Sequence, residues 1–412
     1  MKSRVAVTVA ILFIALQGEG MNLITPALQT IATAFPSVPF SSIVLVVTIT
    51  NLVLIPISLL IGVIDRRIIT SKNLAIIGLV LFVVAGAAPY FLTNFAAILV
   101  ARGFYGIGLA LCTVLPASLM LQYFKDSSQA RLMGYATATR TLGGVVSAAI
   151  GGVLAVSGWQ YAFLGHLIAI PSLIAVVIWL PRDELPARAS RAERAGRAPA
   201  ERLPASIYLV AVVALVMALT VYPILTFMST IIADQHLGNA ATAGLANSIF
   251  AGGGVVAGLL YPLLKKLSAR YVITLGFVLL IAGQACMISA ASVAMLIAAS
   301  ALAGIAFGVI LTEVFVLCDQ LSPNSRVSMG VGLAVGFMNI GAFASAYLFT
   351  WVMGLLGQSD LRLSFVTGVV INVVVATAFT LVVSRAQLKP PAPREETPAP
   401  EPEPAELAAD QA

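Results

Sequence analysis

Apolar runs of about 20 residues, divided by short polar turns, recur twelve times along the chain. A helix crossing the hydrocarbon core needs about 20 such residues. The pattern therefore predicts spans at roughly 5–30, 41–64, 73–93, 95–121, 133–156, 161–180, 205–232, 242–264, 271–291, 293–318, 328–356 and 361–384. The expected fold class is an all-α membrane protein of twelve transmembrane helices in two pseudo-symmetric six-helix bundles. Two stretches interrupt the rhythm. Residues 181–204 are rich in Arg, Ala and Pro without apolar period, which predicts a linker between a bundle at 1–180 and another at 205–384. Residues 385–412 alternate Pro, Ala and Glu and bury too little apolar surface to fold, so a disordered tail is expected there.

The two halves read as a repeat. Arg102-Gly-Phe-Tyr-Gly106-Ile-Gly-Leu-Ala110 on the fourth span overlays Ser300-Ala-Leu-Ala-Gly304-Ile-Ala-Phe-Gly308 on the tenth. Arg131-Leu-Met-Gly134, entering the fifth, resembles Arg326-Val-Ser-Met-Gly330, entering the eleventh. Parallel six-helix repeats place a solute site between the halves near the midplane.

Composition removes the soluble classes: 60% of the 412 residues are hydrophobic and only 10% charged, against about 25% in soluble domains. The net charge of +6 is informative through its placement. Of 23 basic residues, 20 fall on one side of the predicted spans, Arg362 falls on the other, and Arg102 and Arg140 lie within helices. The positive-inside rule then puts both termini in the cytoplasm of a multi-pass cell-membrane protein, and nucleic-acid binding is not expected. The first 30 residues do not read as a cleaved leader, because Glu19 interrupts the apolar run and no convincing cleavage site follows. Cys112, Cys286 and Cys318 sit in apolar spans as packing residues. His166 and His236 are too few and too far apart for a metal site, and nucleotide fingerprints and a nucleophile–base pair are absent. No enzyme activity and no cofactor are expected. The expected partners are a small-molecule solute and the bilayer, around a monomer.

The candidate chemistry lies in charges at membrane depth, which are costly and by default functional. Glu19, between Gly18 and Gly20, continues at helical spacing through Asn22, Pro26 and Gln29, with Thr8 behind. A cavity carboxylate raised by desolvation can exchange a proton; pairing with a neighbouring helix is the alternative. Arg102, with Tyr105 one turn on, faces a cavity and binds an anionic group, or it serves as an internal hub holding the first or second helix. Glu313 is the second membrane acid, and Asp319 is a boundary charge. Arg140 either contacts solute or snorkels to the interface. Asn51, Tyr222, Asn247 and Asn339 are polar positions suited to helix–helix hydrogen bonds or ligand contact. Pro56, Pro116 and Pro223 would kink their helices.

Several of these runs resemble the major facilitator superfamily over about residues 5–384. Arg102-x-x-Tyr105-Gly106-x-Gly108, with Pro116 beyond it, resembles that family's arginine motif. Gly62-Val-Ile-Asp65-Arg66-Arg67 is similar to its signature cytoplasmic loop, although one residue short and without the second glycine and arginine pair. That resemblance implies a cytoplasmic latch of Asp65 and Arg66, to which Arg131 is added. The matching loop Tyr261-Pro-Leu-Leu-Lys265-Lys266 keeps basic charge but has no Asp. On the fifth span, Ser147-Ala148 stand where the drug-export branch has Gly-Pro. Gly158-Trp159-Gln-Tyr-Ala162-Phe163 and Asn22-Leu-Ile-Thr-Pro26-Ala-Leu are similar to that branch.

The resemblance implies alternating access, with helices 1, 4, 7 and 10 lining a cavity. The leading expectation is efflux of small amphipathic compounds by a proton:solute antiporter energised by the proton gradient. Glu19 and Glu313 would couple protons; Asn22, Arg102, Tyr105, Arg140, Tyr222 and Asn339 would contact solute. The close alternative is proton-coupled uptake of an organic anion bound by Arg102 and Arg140. A non-transporting receptor or scaffold is the remote one.

Overall fold

The computed structural model describes residues 4–64, 69–124, 129–181, 203–322, 327–358 and 360–385. Their helices are α1 (Arg4–Ala34), α2 (Phe40–Ile64), α3 (Ser71–Phe91), α4 (Phe95–Tyr123), α5 (Gln129–Val156) and α6 (Trp159–Trp179) in the first half. The second half holds α7 (Ala205–Asp234), α8 (Ala240–Ser268), α9 (Val272–Ile288), α10 (Val293–Leu321), α11 (Val327–Leu355) and α12 (Ser364–Arg385). Eleven are long and apolar enough to cross a membrane, and α9 is the short one at 17 residues. Each begins and ends within a few residues of its expected span. Asp65, Arg66 and the tail lie outside the described residues, as does nearly all of the linker.

Pairing within each half repeats with a shift of six helices: α1 lies along α5 and α7 along α11, α4 packs on α2 and α3, and α10 packs on α8 and α9. The repeat motif has a steric basis. A side chain at Gly106 would stand 3.0 Å from Val53 on α2, and one at Gly304 would run into the Phe250 carbonyl on α8. Small residues let backbones meet where no hydrophobic effect drives helices together in lipid. Separate buried clusters form the two half-cores, one around Phe82, Tyr105 and Leu109 and one around Phe227, Phe277 and Phe349.

Helix α1 corrects the expectation of one continuous polar face. It is α-helical over Arg4–Leu16, turns to 3-10 geometry over Gln17–Leu23 and Thr25–Ala27, and resumes as an α-helix over Leu28–Ala34. Glu19 sits in the break with non-helical φ/ψ of −118° and 23°. Gly18 and Gly20 each cost an α-helix about 1 kcal/mol, and Pro26 cannot donate to the Asn22 carbonyl. The Thr25 hydroxyl donates to that carbonyl instead, at 3.1 Å.

Lys72, one of the 20 basic residues on the side of the termini, is 7% exposed. Its ammonium donates to the carbonyls of Val177 and Leu180 at 2.8 and 2.6 Å. It caps the negative end of α6, a favoured place for a cation.

Candidate functional site

The break in α1 faces α5 across a seam of glycines. A side chain at Gly143 would meet the Leu16 carbonyl, and one at Gly151 the Leu23 carbonyl. At Gly144 it would stand 3.1 Å from Glu19 and 3.2 Å from the Asn22 amide nitrogen. These glycines bring Arg140, one turn before Gly144, onto the carboxylate. Its Nε and Nη2 both donate to Glu19 Oε1, at 2.9 and 2.6 Å. The pair remains open, with side-chain exposures of 42% for Arg140 and 26% for Glu19. Arg140 is thus a partner of the acid on α1 and does not snorkel.

The pair faces the second half. Tyr222 on α7 is buried, at 7% exposure. It clusters with Ala218 and Ala342, and Met21 and Met338 pack against that cluster from opposite halves. Asn339, beside Met338, spends its amide on the Val335 carbonyl of its own helix at 2.8 Å. The centre therefore holds one ion pair on the first half and an uncharged aromatic and thioether wall on the second. Met21 and Met338 were not singled out from sequence, where a methionine in an apolar run looks like core.

Arg102 and Tyr105 correct the expected cavity-facing placement, for both are 0% exposed. Arg102 Nε donates to the Val46 carbonyl of α2 at 2.7 Å. Nη1 lies 3.4 Å from His166 Nε2 on α6, and the guanidinium sits 3.9 Å over the Tyr105 ring. His166 Nδ1 lies 2.9 Å from the Phe163 carbonyl. That contact requires the tautomer with hydrogen on Nδ1, leaving Nε2 to accept from Arg102. This is the hub arrangement, binding α2, α4 and α6. Nη2 and the Tyr105 hydroxyl have no hydrogen-bond partner.

Glu313 on α10 is enclosed, with 4% side-chain exposure. Lys265 donates to Oε1 and the Tyr261 hydroxyl to Oε2, each at 2.6 Å. Both partners come from the last two turns of α8, so the acid is held inside the second half, away from the Glu19 pair. Asn51 is 1% exposed, with its amide nitrogen unpaired. Arg131 lies in the first turn of α5, and nothing is described of its side chain. A buried network that sequence reading missed joins α7, α9 and α12. In it the Gln284 amide donates to the Thr220 carbonyl, the Thr220 hydroxyl to Asn372, and the Asn372 amide to Gln284, all at 2.9 Å.

The halves touch at the end away from the chain termini. The Asn247 amide donates to the Thr25 hydroxyl at 3.0 Å, the Gln29 N–H to Ser229 at 3.2 Å, and the Ser248 hydroxyl to the Val145 carbonyl at 2.8 Å. Phe40 and Phe227 meet at 5.7 Å between ring centroids, and Gly152 packs on Gly244. Toward the termini, beyond Thr141 and Gly254, a side chain added at Gly134 or Gly258 would meet nothing within 4 Å.

Solved transporters share this fold. A bacterial homolog of the human lysosomal transporter Spinster, in an inward-facing and occupied conformation, superposes with a TM-score of 0.70 at 18% identity, covering 93% of this chain and 97% of that one. The nucleoside transporter NupG matches with a TM-score of 0.73 at 12% identity, covering 91% of this chain and 99% of that one. A D-xylose–proton symporter gives 0.70 at 16% identity over 91% and 97%. No curated protein matches. The family model of the Major Facilitator Superfamily matches residues 8–260 and again 210–409. With the six-helix repeat, the chain belongs to the Major Facilitator Superfamily: it is a multi-pass membrane transporter and not an enzyme.

Proposed function

We propose that this transporter couples the movement of a small amphipathic solute to protons, by alternating access around the Glu19–Arg140 pair. One observation carries the reading: the acid at the break of α1 holds its counter-ion with a single oxygen, stays partly open, and sits where the two halves face each other. A proton on Glu19 weakens the pair and frees Arg140. The Met21, Tyr222 and Met338 wall suits a solute with an apolar body, because thioethers adapt to varied shapes. The contacts between the halves at the far end support an inward-open state, given cytoplasmic termini. Glu313 is left out of this coupling scheme, because a cation and a phenol each hold one of its oxygens and the side chain is almost wholly enclosed.

Two directions of coupling are consistent with a titrating Glu19. Efflux by antiport follows the resemblance of the α1 and α6 runs to exporters. Uptake with an organic anion is favoured by Arg140, whose guanidinium borders the site. Arg102 supports either from within the bundle, without touching solute.

The test is transport into reconstituted liposomes under an imposed pH gradient, with the membrane potential clamped. A solute moved by the gradient in the wild type and not in Glu19→Gln supports the reading. Gradient-driven transport that survives Glu19→Gln undiminished removes Glu19 from the mechanism.

A further inference from the structure

Resting on the reading of Glu19 as the protonated group, we infer that the solute carries an anionic head which takes the place of Glu19 on Arg140. The proton and a monoanion then cross together without net charge.

Charge at the site decides this. Arg140 stays cationic throughout. With Glu19 ionised the pair is neutral; with Glu19 protonated the site carries +1. The neighbouring side chains Met21, Asn22, Tyr222, Met338 and Asn339 bring no compensating charge, and the Arg102 guanidinium is sealed from the site by full burial. A lone guanidinium at membrane depth is costly, so the protonated site favours an anion. A cation bound beside ionised Glu19 would face Arg140 across one carboxylate, and that loaded site would also be +1. Of the states considered, only the empty ionised pair and the pair loaded with one proton and one monoanion are neutral. Those two cross easily, and the charged intermediates are held back, which is a coupling rule.

The geometry fits the head group. Arg140 presents Nε and Nη2 side by side to one oxygen, at 2.9 and 2.6 Å. That fork matches carboxylate, sulfonate or phosphate oxygens. Glu19 Oε1 is the oxygen to be replaced, so solute and acid compete for the same two N–H groups. The apolar body would lie toward Met21 of the first half and Tyr222 and Met338 of the second, none of which carries charge.

Two probes of matched tail and opposite head test this: 1-octanesulfonate and octyltrimethylammonium. The sulfonate stays ionised, so it cannot carry protons across or off the protein by itself. Purified protein in weakly buffered detergent near neutral pH is titrated with each, following both binding and proton exchange. The expected result is proton uptake on sulfonate binding, with affinity rising up to about tenfold per pH unit of acidification, as linkage between two mutually favouring ligands requires. Glu19→Gln should bind sulfonate tightly at every pH with no proton uptake, and Arg140→Gln should lose sulfonate binding. A correctly folded Glu19→Gln protein is verified by its elution as a single species.

If octyltrimethylammonium binds and releases protons in a Glu19-dependent way, the anionic head is overturned while Glu19 stands as the proton site. If neither probe exchanges protons, or Glu19→Gln behaves as wild type, both this inference and the role of Glu19 fall. In liposomes, sulfonate flux that responds to membrane potential at fixed pH gradient overturns the electroneutral coupling.

Discussion

Glu19 and Glu313 are acids within the spans of opposite halves, each with a cation at 2.6 Å, yet they are held differently. Glu313 gives one oxygen to Lys265 and the other to Tyr261 and is almost wholly enclosed. Glu19 gives a single oxygen to Arg140, lies in a break of its own helix, and keeps a quarter of its side chain open. On the proposed reading, an ion pair in lipid is not by itself a coupling site. The number of committed oxygens and the access of water separate an acid that can exchange its partner from one that pins two helices.

The largest effect should come from neutralising the two acids in parallel. Glu19→Gln should cut pH-gradient-driven transport at least about tenfold, as expected for loss of an acid–base group, whereas Glu313→Gln should retain coupling per folded molecule. Equal loss in both, measured as flux normalised to folded protein, erases the distinction. Next, Lys265→Met leaves Glu313 buried without its cation. Breaking a fully buried pair costs about 3–5 kcal/mol, and less where, as here, the lysine is a third exposed, so the melting temperature should fall, and adding Glu313→Leu should restore much of it. A double variant no more stable than the single one would mean that the pair is not what holds α8 to α10. Tyr261→Phe should cost about 1.5–3 kcal/mol, the range for a hydrogen bond to a charged group, again read as thermal stability with coupling intact. The smallest change is Asn247→Ala, which removes about 1 kcal/mol of contact between the halves. It should move the balance toward opening at the far end, seen as faster labelling of a cysteine placed at Ser229. Labelling slower than in the parent would count against that closure.

The spans and their repeat were legible because hydrophobic length and the six-helix shift are written locally. Gly106 and Gly304 could be matched from sequence because both meet the same kind of steric demand, from α2 and α8 respectively. The break in α1 was half visible. Gly18, Gly20 and Pro26 each disfavour an α-helix, but about 1 kcal/mol per glycine does not reveal which way packing resolves the conflict. The partners of the charges were not legible. Arg140 is 121 residues from Glu19 and Lys265 is 48 from Glu313, distances over which periodicity carries no signal. Arg102 shows the converse failure. Its cost in lipid was evident, but satisfaction by a carbonyl, an imidazole and an aromatic face, without a carboxylate, depends on His166 and Val46 from two other helices.

Among the contacts that join the halves away from the termini are Asn247 to Thr25, Ser229 to Gln29, Ser248 to Val145, two phenyl rings and a pair of glycines. Each is uncharged, and neutral contacts are indifferent to screening by dissolved ions and to protonation. Salt, acid or alkali at that end would leave these contacts equally firm. On the proposed reading, the contacts between the halves are thus insulated from the surrounding chemistry, and the partly open Glu19 is left to respond to it.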